Sequence, residues 1–164
     1  MSAIRNNIRS IKPKGSLQAS DFGKLQPQAI EIEEAVLGAL MLERDAITTV
    51  LDILESDSFY RDEHKEIYAA IRALFEKSQP IDLLTVTNEL RTRGKLEFIG
   101  GAFYISELTN RVGSAANIEY HARIIAQKYI LRKLIEISSN IQTDAFEETT
   151  DVFDLLDRTE QELF

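Results

Sequence analysis

The sequence has no cysteine, which excludes disulfide frameworks, zinc ribbons and thiol catalysis. It has only two histidines, His64 and His121, on separate predicted helices and without an H-E-x-x-H pattern, so a histidine-based metal site is not expected. No run of about 18 apolar residues occurs, so no membrane-spanning helix is expected. The first residues lack the apolar stretch of a secretory signal. The expected location is therefore the cytoplasm. Glycine-rich phosphate loops are missing too. The Gly-Lys pairs, Gly23-Lys24 and Gly94-Lys95, have no glycine five residues before them, so the G-x-x-x-x-G-K-[ST] cradle is not formed. ATP hydrolysis by this chain is not expected.

What is present is an ordinary globular balance. Of 164 residues, 44% are hydrophobic and 28% charged, enough for a real core without covalent staples. The charge is uneven. Residues 1–24 carry a net +4 and the remainder −12. An acidic body is poorly suited to wrapping a nucleic-acid backbone. The basic segment 1–25 reads as a leader without persistent structure, because Lys14-Gly15-Ser16 and Asp21-Phe22-Gly23 interrupt any helical pattern.

Three prolines and seven glycines fall where apolar patterns stop or restart, and the stretches between them read as helices. Val36, Leu37, Leu40 and Met41 form a stripe within Ile30–Leu42. Asp45 is the expected cap of a short helix to Leu54, and Ser56 to Tyr60 a turn planting two aromatics on the core. Asp62 is the expected cap of a helix with Ile67, Ile71, Leu74 and Phe75 on one face. Asp82 caps a helix carrying Leu83, Val86 and Leu90 and ending at Gly94. Gly100-Gly101 opens one with Phe103, Ile105 and Leu108 inward. From Ser114, the expected cap, a helix of about 28 residues reaches about 42 Å. Its first half carries Ile118, Ala122, Ile125 and Tyr129. Its second half carries Ile130, Leu134, Ile137 and Ile141, and a third line runs through Ile124, Leu131 and Ile135. Residues 151–164, with Val152, Leu155, Leu156 and Leu163, are too short to stand alone and are expected to fold back on it. The expected fold is all-α: a compact head of five short helices over 26–113, then an αα-hairpin over 114–164 leading into a truncated linker. The Leu131/Ile135 line is left wanting a partner, which predicts self-association.

Sites of chemistry are few. Glu31, Glu33 and Glu34 read as a solvated first turn suited to the helix dipole rather than paired catalytic carboxylates. Ser114 reads as a cap rather than a nucleophile. Both histidines read as ordinary exposed helical residues, His121 packing near Tyr120. No catalytic residue, metal ligand or cofactor-binding residue is expected.

Six segments together resemble the N-terminal domain of the bacterial replicative DNA helicase, the DnaB family. They are Pro27 to Ala39 (PQAIEIEEAVLGA), Asp57 to His64 (DSFYRDEH), Pro80 to Val86 (PIDLLTV), Gly100 to Leu108 (GGAFYISEL), Ser114 to Ile124 (SAANIEYHARI) and Leu131 to Ile135 (LRKLI). They occur in order from Gln26 onward. The resemblance implies an all-α collar module that pairs through its hairpin, with three pairs crowning a hexameric ring. It implies recruitment of the primase C-terminal domain, and contact with a helicase loader. It also implies a 5'-3' unwinding ATPase, with its ATP and Mg, in a C-terminal domain that this chain does not contain. Carried onto this sequence, Glu31, Tyr104, Arg132 and Ile135 are the expected partner-facing residues, and Leu131, Leu134 and Ile141 the self-association residues. Gly113 stands where the family more often has proline, and the leader has no family pattern.

Three other readings compete: a stand-alone adaptor that competes for helicase or primase, an enzyme built on Glu31 and Glu33, and a DNA binder acting through the leader.

Overall fold

The structure, a computed structural model, describes residues 24–164, so the expected leader lies almost wholly outside it. Among the described residues the chain is helical without strands: α1 (Ile30–Leu42), α2 (Ala46–Val50), a 3-10 turn (Ser56–Ser58), α3 (Asp62–Glu76), α4 (Leu83–Thr92), α5 (Gly101–Asn110), α6 (Ile118–Phe146) and α7 (Val152–Leu163). The expected all-α architecture of short helices followed by a long-helix hairpin is what is found.

Helix α1 is the axis of the head and packs against α2, α3, α5 and α6. Its run from Val36 to Met41 is buried all round, which suits a helix with neighbours on every side rather than a two-faced one. Gly38 makes the closest of these approaches possible. A β-carbon there would lie 2.2 Å from the Leu108 carbonyl oxygen and 2.7 Å from Val112 Cγ2. Beneath α1, Phe59 and Tyr68 meet with ring centroids 5.0 Å apart. The Tyr68 hydroxyl donates to the Leu54 carbonyl at 2.9 Å, and burial pushes its pKa up to about 12.

The predicted ends hold in some places and move in others. Asp82 caps α4 in a reciprocal box with Thr85, each accepting the other's backbone N–H at 2.9 Å. Gly94 and Gly100 take positive φ at helix boundaries, as the turns require. Asp45 precedes α2 but makes no side-chain cap. Asp62 is the first residue of α3 rather than its cap, and its carboxylate pairs with Lys65. Ser114 does not start the long helix. The helix starts at Ile118 after Asn117, because the Ala115 N–H is drawn to the Glu43 carboxylate at 2.8 Å. Phe75 and Phe103, expected inside, point to water, Phe103 at 74% exposure; on α5 the inward places go to Ile105 and Leu108.

Glu89 links α4 to the end of α3. It accepts from Arg93 Nε at 3.0 Å and from Lys77 Nζ at 3.2 Å. The Arg93 hydrogen bond, stronger than the opposing desolvation and helped by Lys77, holds its carboxyl below the usual range. A depressed carboxylate stabilises the fold above its unfolded pKa and loses that contribution as pH falls through the folded value. Glu89→Gln is therefore expected to lower stability by about 1 kcal/mol near pH 7. Thermal melts of both proteins should converge only as pH falls through that depressed folded value, below the ordinary glutamate range of about 4.3.

Candidate interaction surface

Two neighbouring features dominate the junction between the head and the long helix. The first is a chain of buried polar groups. Glu33, in the first turn of α1, is 1% exposed, against the expectation of a solvated acidic turn. One carboxylate oxygen accepts the Tyr60 backbone N–H at 2.6 Å and the other meets His64 Nδ1 at 2.6 Å. His64 is fully buried, not the exposed helical histidine expected. Its Nε2 lies 2.7 Å from the Tyr104 hydroxyl, which sits 3.4 Å from Glu34 Oε1. Arg111 closes the chain on Glu34 at 2.8 Å. Nδ1 faces an acceptor-only carboxylate and is therefore the donor there, and the Tyr104 hydroxyl donates onward to Glu34 Oε1. Burial, with the Glu34 charge adding to it, raises the Tyr104 pKa.

Every member is satisfied; no buried side-chain nitrogen or oxygen among the described residues lacks a partner. A fully paired buried network of this kind rigidifies and orients the elements it joins. It ties α1 to α3 and α5. Among the described residues no group of three or more candidate metal ligands occurs.

The second feature is a clamp. Arg132, on the long helix α6, donates to the Pro27 carbonyl at 2.8 Å and to the Ser58 carbonyl at 2.9 Å. Its guanidinium carbon lies 5.4 Å from the Tyr60 ring centroid and 5.8 Å from that of Tyr129. Two fixed acceptors and two rings suit a planar guanidinium and would not suit an ammonium. Beside it opens a cleft of about 500 Å3 lined by Gln26, Asp57, Tyr60, Tyr129, Lys133 and Glu136. The clamp and the buried chain share the Ser58–Tyr60 turn.

Around Arg132, α6 begins to leave the head. Ile130, Leu131, Leu134 and Ile135 are all exposed, Leu131 and Ile135 at 45% and 46%, and Ile141 is half-buried. Helix α7 folds back on α6, as expected, with its Arg158 on Asp144 at 3.1 Å.

The expected partner-facing residues thus divide. Glu31 is exposed at the start of α1. Ile135 is exposed one turn past the clamp. Tyr104 and Arg132 spend their polar atoms inside the molecule and are joined through Tyr60, Glu33 and His64. The sequence reading missed Glu33, His64, Tyr60 and Pro27 as partners, because no local spacing announces a bond between residues 31 or 105 positions apart.

Among the described residues no helix is long and apolar enough to cross a membrane. Residues 25–127 match the family model described as DnaB-like helicase N terminal domain. The replicative DNA helicase DnaB of Rhodothermus marinus is 51% identical over 142 residues, covering 87% of this chain and 15% of the relative. The replicative DNA helicase DnaC of Bacillus subtilis is 44% identical over 138 residues, 84% of this chain and 30% of the relative. This chain therefore spans less than a third of the length of those two relatives. The crystal structure of the N-terminal domain of DnaB helicase from Mycobacterium tuberculosis superposes with a TM-score of 0.80 at 39% identity, covering 84% of this chain and 97% of that one. A DnaB-like replicative helicase, solved in a study of its interactions with primase, gives 0.67 at 25% identity, covering 82% of this chain and 31% of that one. With the helical head and the start of α6 within the matched residues 25–127, the chain belongs to the DnaB-like helicase N-terminal domain family.

Proposed function

We propose that this chain is the non-catalytic collar module of a replicative DNA helicase. It assembles into dimers, and through them into a trimer of dimers, and it recruits the C-terminal domain of primase during DNA replication. In this reading residues 26–113 form the head and 114–164 the assembly hairpin. The ATPase, with its ATP and Mg, belongs to the part of the relatives that this chain does not match. The observation that carries the reading is the row of aliphatic side chains on α6 on either side of the clamp.

Leu131, Leu134, Ile135 and Ile141 offer an apolar surface with no covering element of the same chain over its exposed part. Burying it against a second α6 contributes roughly 25 cal/mol for each Å2 of apolar area removed from water. Leu131, Leu134 and Ile141 serve that contact. Glu31, Ile135 and the outer edges of Tyr104 and Arg132 form the primase-facing side. An apolar anchor beside an arginine and a tyrosine is the usual make-up of a binding hot spot.

The test is a calorimetric titration with the primase C-terminal domain from the same organism, beside sedimentation velocity. Saturable binding is expected, weakened at least tenfold by Ile135→Asp with the helical signal and the oligomer unchanged. A folded, self-associated protein that does not bind primase would refute the recruitment reading. A monomer at all concentrations would refute the assembly reading.

A further inference from the structure

We propose that His64 is a proton switch. It decides which way the Tyr104 hydroxyl points, and through it how Glu34 and Arg111 are held at the surface of the head. The ring lies wholly inside the molecule and meets a partner at each nitrogen. Nδ1 is 2.6 Å from a Glu33 carboxylate oxygen, and Nε2 is 2.7 Å from the Tyr104 hydroxyl. An ionised carboxylate only accepts, so Nδ1 keeps its proton whatever happens at the other nitrogen.

The hydroxyl has one proton to give and two acceptors that could take it, the Glu34 carboxylate and a bare Nε2. Here the proton goes to Glu34 Oε1. The short contact with the ring is then held only if Nε2 carries a proton of its own and donates it to the hydroxyl oxygen. His64 in this state is an imidazolium, closed against Glu33 as a pair without net charge, and buried charges persist when paired in this way. When Nε2 releases its proton to water, by way of the half-buried Tyr104, it becomes an acceptor. The hydroxyl proton turns to it and Glu34 loses that donor. Arg111, 2.8 Å from Glu34 Oε2, is left holding the carboxylate.

The charged and titratable groups around the ring come from three elements. They are Glu33 and Glu34 from α1, Tyr104 from α5, and Arg61 on the turn leading into α3, which hydrogen-bonds the Tyr104 hydroxyl. Imidazole is the side chain that ordinarily changes charge between about pH 5 and about pH 8. The change reaches solvent at Arg111, whose side chain is 57% exposed. The switch does not rest on the assembly or recruitment reading above, since every group in it belongs to one head.

The test is nitrogen-15 NMR of the full chain carrying His121→Gln, which leaves His64 as the one imidazole, followed from about pH 5 to about pH 8. At the acid end both ring nitrogens should show a bonded proton. As pH rises, the Nε2 proton signal should be lost while that on Nδ1 stays, and the Arg111 Nε–H signal should shift with the same midpoint. In Tyr104→Phe the ring should still titrate and the Arg111 shift should vanish, with the helical signal unchanged. A ring bearing one proton throughout, or two throughout, would overturn the proposal. Loss of the Nδ1 proton first would do so as well, as would an Arg111 signal that ignores the ring. An Arg111 shift that survives Tyr104→Phe also counts against it, because the coupling then runs outside the hydroxyl.

Discussion

Replacing Gly38 by alanine should unfold the head more readily than almost any other single-methyl addition to this chain. The added carbon would sit 2.2 Å from the Leu108 carbonyl oxygen and 2.7 Å from Val112 Cγ2. The valine methyl can turn away, but the carbonyl is backbone inside α5 and cannot. Helices α1 and α5 must therefore separate, and α1 is in contact with four other helices, so the displacement opens contacts around the whole core. Alanine's better helix propensity returns about 1 kcal/mol. Overpacking of a rigid interface costs about 1–3 kcal/mol and sometimes more, and the backbone obstacle places this site at the upper end. A net loss of about 2–3 kcal/mol is expected, a fall of roughly 5–10 °C in the melting temperature for a chain of this size. Gly113→Ala is the control. A β-carbon there meets nothing within 4 Å, and its melting temperature should stay level or rise slightly. Equal melting of the wild type and Gly38→Ala would show that α1 and α5 are not pressed together as described.

The second large effect is expected at Glu33. Its carboxylate serves both the Tyr60 N–H and the His64 ring, in a place that water does not reach. Glu33→Ala leaves a buried backbone donor and a buried imidazole nitrogen without partners, and adds a cavity. Breaking a buried pair by removing one member costs about 3–5 kcal/mol, and chemical denaturation should show a loss of that order. Glu33→Gln keeps one acceptor oxygen and should recover part of it. Tyr104→Phe removes only the outer link of the chain, between His64 and Glu34, and should cost about 1 kcal/mol. If Glu33→Ala were no worse than Tyr104→Phe, Glu33 would not be the centre of the network. A double-mutant cycle between positions 33 and 104 measures how far the coupling travels through His64.

These two sites also mark how far the fold could be read before the structure. The helices were legible where the signal is local. Asp82 and Thr85 stand three residues apart, and the capping box they form needs nothing else. The apolar row of α1 and the break at Gly94 belong to the same class. Places decided by distant residues were not legible. Ser114 looks like a helix cap, yet the next N–H is taken by Glu43 from 72 positions away, and the helix starts at Ile118. Glu33 looks like one more acid in a favourable first turn, because the histidine that buries it is 31 residues on. Phe103 fits the inward pattern of α5 as well as Leu108 does by spacing alone. Arg132 was singled out through resemblance as partner-facing, and only the structure shows its guanidinium bound to two carbonyls of its own chain.

That clamp gives the molecule a mechanical character. Arg132 fastens α6 to the head beyond the buried Ile118, Ala122 and Ile125, and the 14 residues past it form a stiff arm of about 21 Å. A rotation of about 10° about the clamp, of the size that packed helices accommodate, swings the arm's tip through about 4 Å. The pivot grips Pro27 and the Ser58 carbonyl, one residue from the buried Phe59 and two from the N–H that Glu33 holds. Torque applied at the tip is thus delivered to the innermost polar bonds of the head rather than lost in a loose hinge, and the head and hairpin act as a crank.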